Sequence, residues 1–426
     1  MKRAQPRRQG RLSRYLRLLG PDLITGASDD DPAGIATYAV AGASLGYSTL
    51  WTAVITLPLM QAVELTCARI GLISGTGLTG ALKGHYSGPL IYMACAALLV
   101  ANVFNIGADL AGMADAGEML TGVSSFFFVF VFAGVIVFFT ARAHYGTFAR
   151  YIKLATLALF SYIAVAIAVR PPWREVLAAT FTPQWRTDPQ YVTTLLAILG
   201  TTISPYLFFW QASHEVEAEK ALGRRTIKAR RGATIGELAD ARADVLTGMC
   251  LSNVVFYFIV LATASTLYRA GQHDIETTRQ AAEALRPLAG NAAYLLFSMG
   301  LVGSGLLAIP VLAGSASFAI AELFGWQAGL DLRFRQAVRF YTVFGIAIAI
   351  GLVLDLLGVN PIRMLFLSAL VNGLVAPPLL ALVMLAANNR KIMGDQTNGL
   401  MLNLLGWTTV AVMGAAGLAF VLRGGA

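Results

Sequence analysis

Three consecutive carboxylates, Asp29, Asp30 and Asp31, stand in the stretch GPDLITGASDDDPAGIATY and are followed at once by Pro32 and then by Gly34. They lie about nine residues into an apolar run that begins near Pro21, which is well inside a bilayer at about 1.5 Å rise per residue. A carboxylate at that depth costs several kcal/mol unless a cation or water meets it. Pro32 removes a backbone donor and Gly34 loosens the chain. A helix interrupted here exposes carbonyl oxygens beside Asp31, and carboxylate plus carbonyl oxygen is the donor set of a hard cation. Asp31 ranks first of the three. Asp30 and, less closely, Asp29 either attract a hydrated ion through water or pair with polar groups on other helices.

A second stretch, LLAILGTTISPYLFFWQASHEVE, is broken in the same way by Gly200, Thr201, Thr202, Ser204 and Pro205. A single proline in an apolar run reads as a structural kink. Two breaks at equivalent places, one of them beside buried acids, point to a site between them. Other polar residues stand in apolar surroundings. Asn102, Asn105 and Asp109 share one helical face and either line an aqueous path or form an interhelical hydrogen-bonded patch. Asn372 invites the same two readings, with helix glue favoured. Gln211 and Glu215, four residues apart, either line an exit or end a solvated helix, and Glu64 and Glu322 have no assigned role.

The elements that position these residues follow from composition. The 426 residues are 57% hydrophobic and 13% charged, against about 25% charged in a soluble chain. Apolar runs of about 20 residues without strand alternation predict an all-α integral membrane protein and exclude an outer-membrane barrel. Eleven spans are expected, at 21–47, 49–73, 88–120, 124–141, 151–170, 190–216, 243–268, 291–324, 338–358, 362–387 and 400–422. Of the 32 lysines and arginines, 24 fall on the tail and on alternate connections; the other eight are Arg170, Arg174, Arg186, Arg269, Arg279, Arg286, Arg363 and Arg423. That bias places the N-terminus in the cytoplasm and the C-terminus outside a bacterial-type inner membrane. The broken spans are the first and the sixth. This spacing indicates two inverted repeats of five spans with a substrate site at the midplane. The expected organisation is therefore a basic tail at 1–20, a first repeat at 21–170, a second at 190–387 and a last span at 400–422.

Several functions are disfavoured. The net charge of +9 is explained by cytoplasmic loops rather than nucleic acid. Cys67, Cys95 and Cys250 are isolated in apolar runs and form no disulfide framework. GTGLTG at 75–80 follows a membrane helix, not a strand, so it is not read as a nucleotide loop. No Ser-His-Asp, Cys-His or HExxH arrangement is visible, so no enzyme is expected. Neither a cofactor nor an obligate protein partner is expected, only the bilayer and a transported ion. Residues 269–290 read as an external amphipathic helix, and the small residues of GSGLL and AGSAS in the eighth span as close helix packing.

These motifs resemble those of the Nramp family of divalent-metal transporters. GPDLITGASDDDPAGIATY is similar to the family's first helix with its Asp-Pro-Gly-Asn motif, GTTISPYLFFWQAS to its sixth, and ADLAGM at 108–113 to the Asp-Leu-Ala-Glu of its third. The resemblance implies the leucine-transporter (APC-type) fold, alternating access and a metal held at Asp31, Gly34, Thr201 and Ser204. It also carries departures. Gly34 stands for an asparagine ligand, Thr201 for an alanine whose carbonyl binds metal, and Ser204 for a methionine whose thioether does. Tyr206 and Gln211 replace two histidines, and Gly112 replaces the glutamate that accompanies Asp109. Together these departures resemble the Nramp-related magnesium transporters.

A thioether favours transition metals, whereas a hydroxyl suits hard ions. Gly34 is expected to widen the site, which suits Mg2+ with part of its water shell; Mn2+ is comparably hard. His85, His144, His214 and His273 sit in loops or at span ends, so little or no proton coupling is expected. Alternatives are a same-fold Na+- or proton-coupled carrier of another cation or organic solute, an intramembrane metal enzyme, and a channel.

Overall fold

The computed structural model describes residues 29–142, 157–330 and 332–424. The expected tail, the start of the first span and the connection that holds His144 lie outside the described residues. Twelve helices form the frame: α1 (Pro32–Leu45), α2 (Trp51–Ser74), α3 (Gly88–Thr121), α4 (Ser125–Arg142), α5 (Ser161–Ala168), α6 (Pro189–Thr202), α7 (Pro205–Ala221), α8 (Ile235–Thr266), α9 (Ala293–Phe324), α10 (Val338–Asp355), α11 (Pro361–Ala387) and α12 (Leu400–Leu422). The only β pairing among the described residues is an isolated bridge between Lys83 and Tyr86.

Eight spans, with α6 and α7 taken as one, are long and apolar enough to cross a membrane, for which about 20 residues are needed. Two shorter apolar helices, Ser125–Thr140 and Leu157–Ala168, fall where the fourth and fifth spans are expected. Large apolar side chains such as Phe126, Phe130, Phe138, Leu400 and Leu404 are exposed on α4 and α12. In water such faces would be a liability; against lipid they are the ordinary surface of a bundle.

The helix ends follow local chemistry. α1 begins with Asp31 as N-cap and Pro32 in its first turn, an arrangement in which the missing proline N–H costs nothing. α6 and α7 are separate helices because Pro205 cannot continue the hydrogen-bond ladder of α6. Around these breaks the helices approach very closely. A Cβ on Gly200 would stand 2.1 Å from the Ala369 carbonyl oxygen, and one on Gly42 would stand 2.0 Å from Thr263 Oγ1. Only glycine permits α6 to seat against α11 and α1 against α8. In α9 a Cβ on Gly305 would meet Met113 Sδ at 2.3 Å, in keeping with the small-residue packing expected there.

One expectation about the outer connection is corrected. Residues 269–290 do not form one amphipathic helix. They fold into short turns, Tyr268–Ala270, Thr278–Ala282, Glu283–Leu285 and Arg286–Ala289. Gly271 and Gly290, at φ 79° and 53°, interrupt any longer run. Ala281, Ala282, Ala284 and Leu285 are buried, so the segment packs into the bundle instead of lying on its surface.

Candidate metal centre

The two breaks meet. Asp31 is 1% exposed and its Oδ1 accepts from the Gly34 amide at 2.6 Å, which closes the first turn of α1. Its Oδ2 accepts from Asn105 Nδ2 at 2.9 Å, and the Tyr206 hydroxyl points at it from 3.4 Å. The positive end of the α1 dipole adds to the stabilisation of the carboxylate. An ionised carboxylate offers about four lone-pair positions, so these three donors leave room for a cation. Among the described residues no lysine or arginine is paired with Asp31. Beside it, Asp109 Oδ1 accepts from the Ala33 amide at 3.3 Å, while Asp109 Oδ2 has no partner.

The second break supplies neutral oxygens. The Ser204 hydroxyl lies 2.9 Å from the Gly200 carbonyl and 2.8 Å from the Thr201 carbonyl, and donates to them. Those carbonyls end α6, where the dipole is negative. Tyr38 joins the two breaks through its hydroxyl, 3.1 Å from Thr202 Oγ1. A Cβ placed on Gly34 would stand 3.0 Å from Thr201 Oγ1 and 3.3 Å from Asp31 Oδ1, so all three converge on one spot. A side chain at Gly34 would therefore crowd both groups. The result is a buried carboxylate facing a helix end rich in carbonyl oxygen, a combination that attracts a hard cation.

The remaining candidates separate. Asn105 and Asp109 belong to this centre, but Asn102 turns away and donates to the Leu312 carbonyl and Ser315 Oγ of α9. Asp29 and Asp30 are buried and share the Ser252 hydroxyl of α8, at 2.6 and 3.0 Å. Gln211 donates to Glu215 at 3.1 Å within α7. α7 continues to Ala221, so His214 lies within the helix, stacked on Trp210, and not at a span end. Asn372 is buried on α11 next to Gly373, which packs on Leu196; its Oδ1 has no partner.

Glu322 pins the connection after α2, where its two oxygens accept from the amides of Gly77 and Gly80, at 2.7 and 2.9 Å. The glycine-rich 75–80 segment therefore does hold an anion, which is the chain's own carboxylate. Ser252 and Tyr38 were not singled out from the sequence. A Ser-Asn pair inside the apolar run of α8 was the available signal for Ser252; nothing marks Tyr38. Among the described residues, no three His, Cys, Asp or Glu side chains converge closely enough to ligate one ion together.

The family model described as natural resistance-associated macrophage protein-like (Nramp) matches residues 22–423. The chain is 25% identical over 416 residues to the divalent metal cation transporter MntH of Klebsiella pneumoniae (strain 342), covering 93% of this chain and 92% of the relative. A similar match, 26% over 406 residues, covers 94% of this chain and 88% of the MntH of Deinococcus radiodurans. Among solved structures, the Eremococcus coleocola manganese transporter superposes with a TM-score of 0.74 at 18% identity, over 97% of this chain and 88% of that one. Mhp1, a nucleobase-cation-symport-1 family transporter, superposes at 0.54 and 14% identity, over 95% and 90%. The fold is thus the leucine-transporter type.

Proposed function

This chain belongs to the Nramp family, a family of divalent metal cation transporters, and we propose that it carries Mg2+ and Mn2+ across the membrane by alternating access with little or no proton coupling. The observation that supports this most is the Asp31 carboxylate, buried without a basic partner among the described residues and set against the carbonyl end of α6. Ser204 stands at the second break where sulfur would select softer metals, so the donors there are all oxygen. Because Asp31 is buried, an ion reaches it only when the helices around the two breaks part. Opening toward one side at a time is alternating access.

The two sets of five spans act as inverted repeats, 21–170 and 190–387, with 400–422 as an added helix. The excess of lysine and arginine on one set of connections favours a cytoplasmic N-terminus and an external C-terminus. No histidine meets Asp31 among the described residues, which removes the ordinary proton relay at neutral pH.

The test is uptake into proteoliposomes across a metal panel, with a pH dye inside. Saturable Mg2+ and Mn2+ uptake without matching acidification is expected. Failure to move either ion would overturn the reading, and stoichiometric proton entry with the metal would overturn its uncoupled form.

A further inference from the structure

We propose that Asn372 of α11 sets the preference of the centre for an ion that keeps water, by accepting a hydrogen bond from a water molecule carried on the ion at Asp31. This deepens the function proposed above and rests on it for the identity of the ion.

The first observation is an unmet acceptor. Asn372 lies within the membrane-spanning helix α11 and is 1% exposed. Its Oδ1 is buried and accepts no hydrogen bond. A buried amide oxygen without a donor is costly. An asparagine that glues helices finds its partner on a neighbouring helix, so the glue expected of Asn372 does not account for it.

The second observation is level. A Cβ on Gly200 would stand 2.1 Å from the Ala369 carbonyl oxygen and 2.4 Å from the Gly373 amide nitrogen. This contact holds Asn372, next to Gly373, at the height of the second break, where the Gly200 carbonyl accepts from Ser204.

The third observation is direction. Leu365 stands seven residues before Asn372, two turns earlier on the same face of α11. Leu365 is turned to α3, where a Cβ on Gly112 would stand 2.8 Å from its Cδ1. α3 and α11 run antiparallel: Ser298, early in α9, reaches Ala116 late in α3, and Asn360, at the start of α11, reaches Glu276 in the connection that precedes α9. Two turns back along α3 from Gly112 is Asn105. Asn372 is therefore turned toward α3 at the level of Asn105. Asn105 donates its Nδ2 to Asp31 Oδ2, while its own Oδ1 has no partner, and neither has Asp109 Oδ2.

Three buried oxygens, those of Asn105, Asp109 and Asn372, thus lack donors at the level of Asp31. A bare cation brings no proton to them, whereas water bound to a cation brings two. Mg2+ gives up its water reluctantly, so it arrives with the donors these oxygens need. Mn2+ exchanges its water more readily and depends on them less.

Uptake of Mg2+ and of Mn2+ by the full chain in proteoliposomes, measured as KM and kcat for each ion, tests this. Asn372→Leu, close to asparagine in shape, is expected to raise the KM for Mg2+ about tenfold, as the loss of one buried hydrogen bond does, with a much smaller change for Mn2+. Asn372→Ser keeps an oxygen acceptor and is expected to recover part of the Mg2+ affinity. If Asn372→Leu is not recovered with a wild-type size-exclusion profile, Asn372→Val is read in its place with the same expectation. Equal changes for the two ions, a larger change for Mn2+, or no change for either overturns the role of Asn372 and leaves the function proposed above intact. No Mg2+ uptake by the wild-type protein overturns the Mg2+ part of that function and the role of Asn372 with it.

Discussion

At the scale of single residues, selectivity is set by what is missing as much as by what is present. Ser204 turns its proton toward two carbonyls of α6, so its lone pairs, and not its hydrogen, face outward from that helix end. Replacing it with methionine puts a soft donor beside Asp31 and removes the hydroxyl that holds the Gly200 and Thr201 carbonyls. Ser204→Met is expected to move the order of transported ions toward Cd2+, read as competition by Cd2+ against Mn2+ uptake; an unchanged order would separate Ser204 from ion choice. Asp31, Asn105, Asp109 and Ser204 were each legible as candidates, because acids, amides and proline-bearing breaks inside apolar runs are conspicuous; Tyr206 came from the family resemblance, and only the fold joins Asn105 and Tyr206 to Asp31. The sequence did not make legible the closeness of Thr201 to Gly34, since that depends on how two helix ends dock. Ser252 was marked only by its pairing with Asn253: a serine in a membrane helix ordinarily bonds its own backbone, and only the fold brings Asp29 and Asp30 to it.

At the scale of elements, the breaks are built from capping chemistry. Asp31 is the N-cap of α1 as well as the carboxylate proposed to bind the ion, so removing it by alanine also costs about 1 kcal/mol of helix capping. Asparagine keeps the cap and discards the charge. The connection after α2 shows a second use of the same chemistry, where Glu322 of α9 satisfies the amides of Gly77 and Gly80. Hydrogen bonds to a charged acceptor contribute about 1.5–3 kcal/mol each. Glu322→Ala is therefore expected to lower the Tm of the detergent-solubilised protein, with Glu322→Gln recovering part of the loss. An unchanged Tm would mean that the connection is held by other contacts. The nearby Arg230 is similarly structural: it is buried and donates to the carbonyls of Gly75, Arg224 and Arg225. The connection between α7 and α8 is therefore anchored to the bundle at Arg230, while Arg225, Lys228 and Arg231 remain exposed. Element boundaries were mostly legible from hydropathy. The segment 269–290 was not, because its apolar residues serve the interior of the bundle and its glycines divide it into turns.

At the scale of the whole molecule, the chain is a multi-pass membrane protein of the leucine-transporter fold. The orientation proposed for it rests on charge: three quarters of the basic residues lie on the tail and one set of connections. A membrane-impermeant thiol reagent applied to intact cells is expected to label a cysteine added after Ala426 and to spare one placed at Lys228. The reverse pattern would invert the assignment and with it the direction in which each broken span runs. The fold was legible because a helical bundle is the only arrangement that satisfies so many apolar spans, and because proline-bearing breaks five spans apart mark the start of each half of a repeat.

The central claim is that a charged Asp31 at the meeting point of two broken helices binds the transported ion, and uptake by Asp31→Asn tests it most directly. This variant keeps the shape and the cap, so it is expected to be recovered folded from membranes, with Mn2+ and Mg2+ uptake into proteoliposomes reduced to the level of empty vesicles. Uptake by Asp31→Asn at the wild-type rate and with the wild-type concentration dependence would contradict the account.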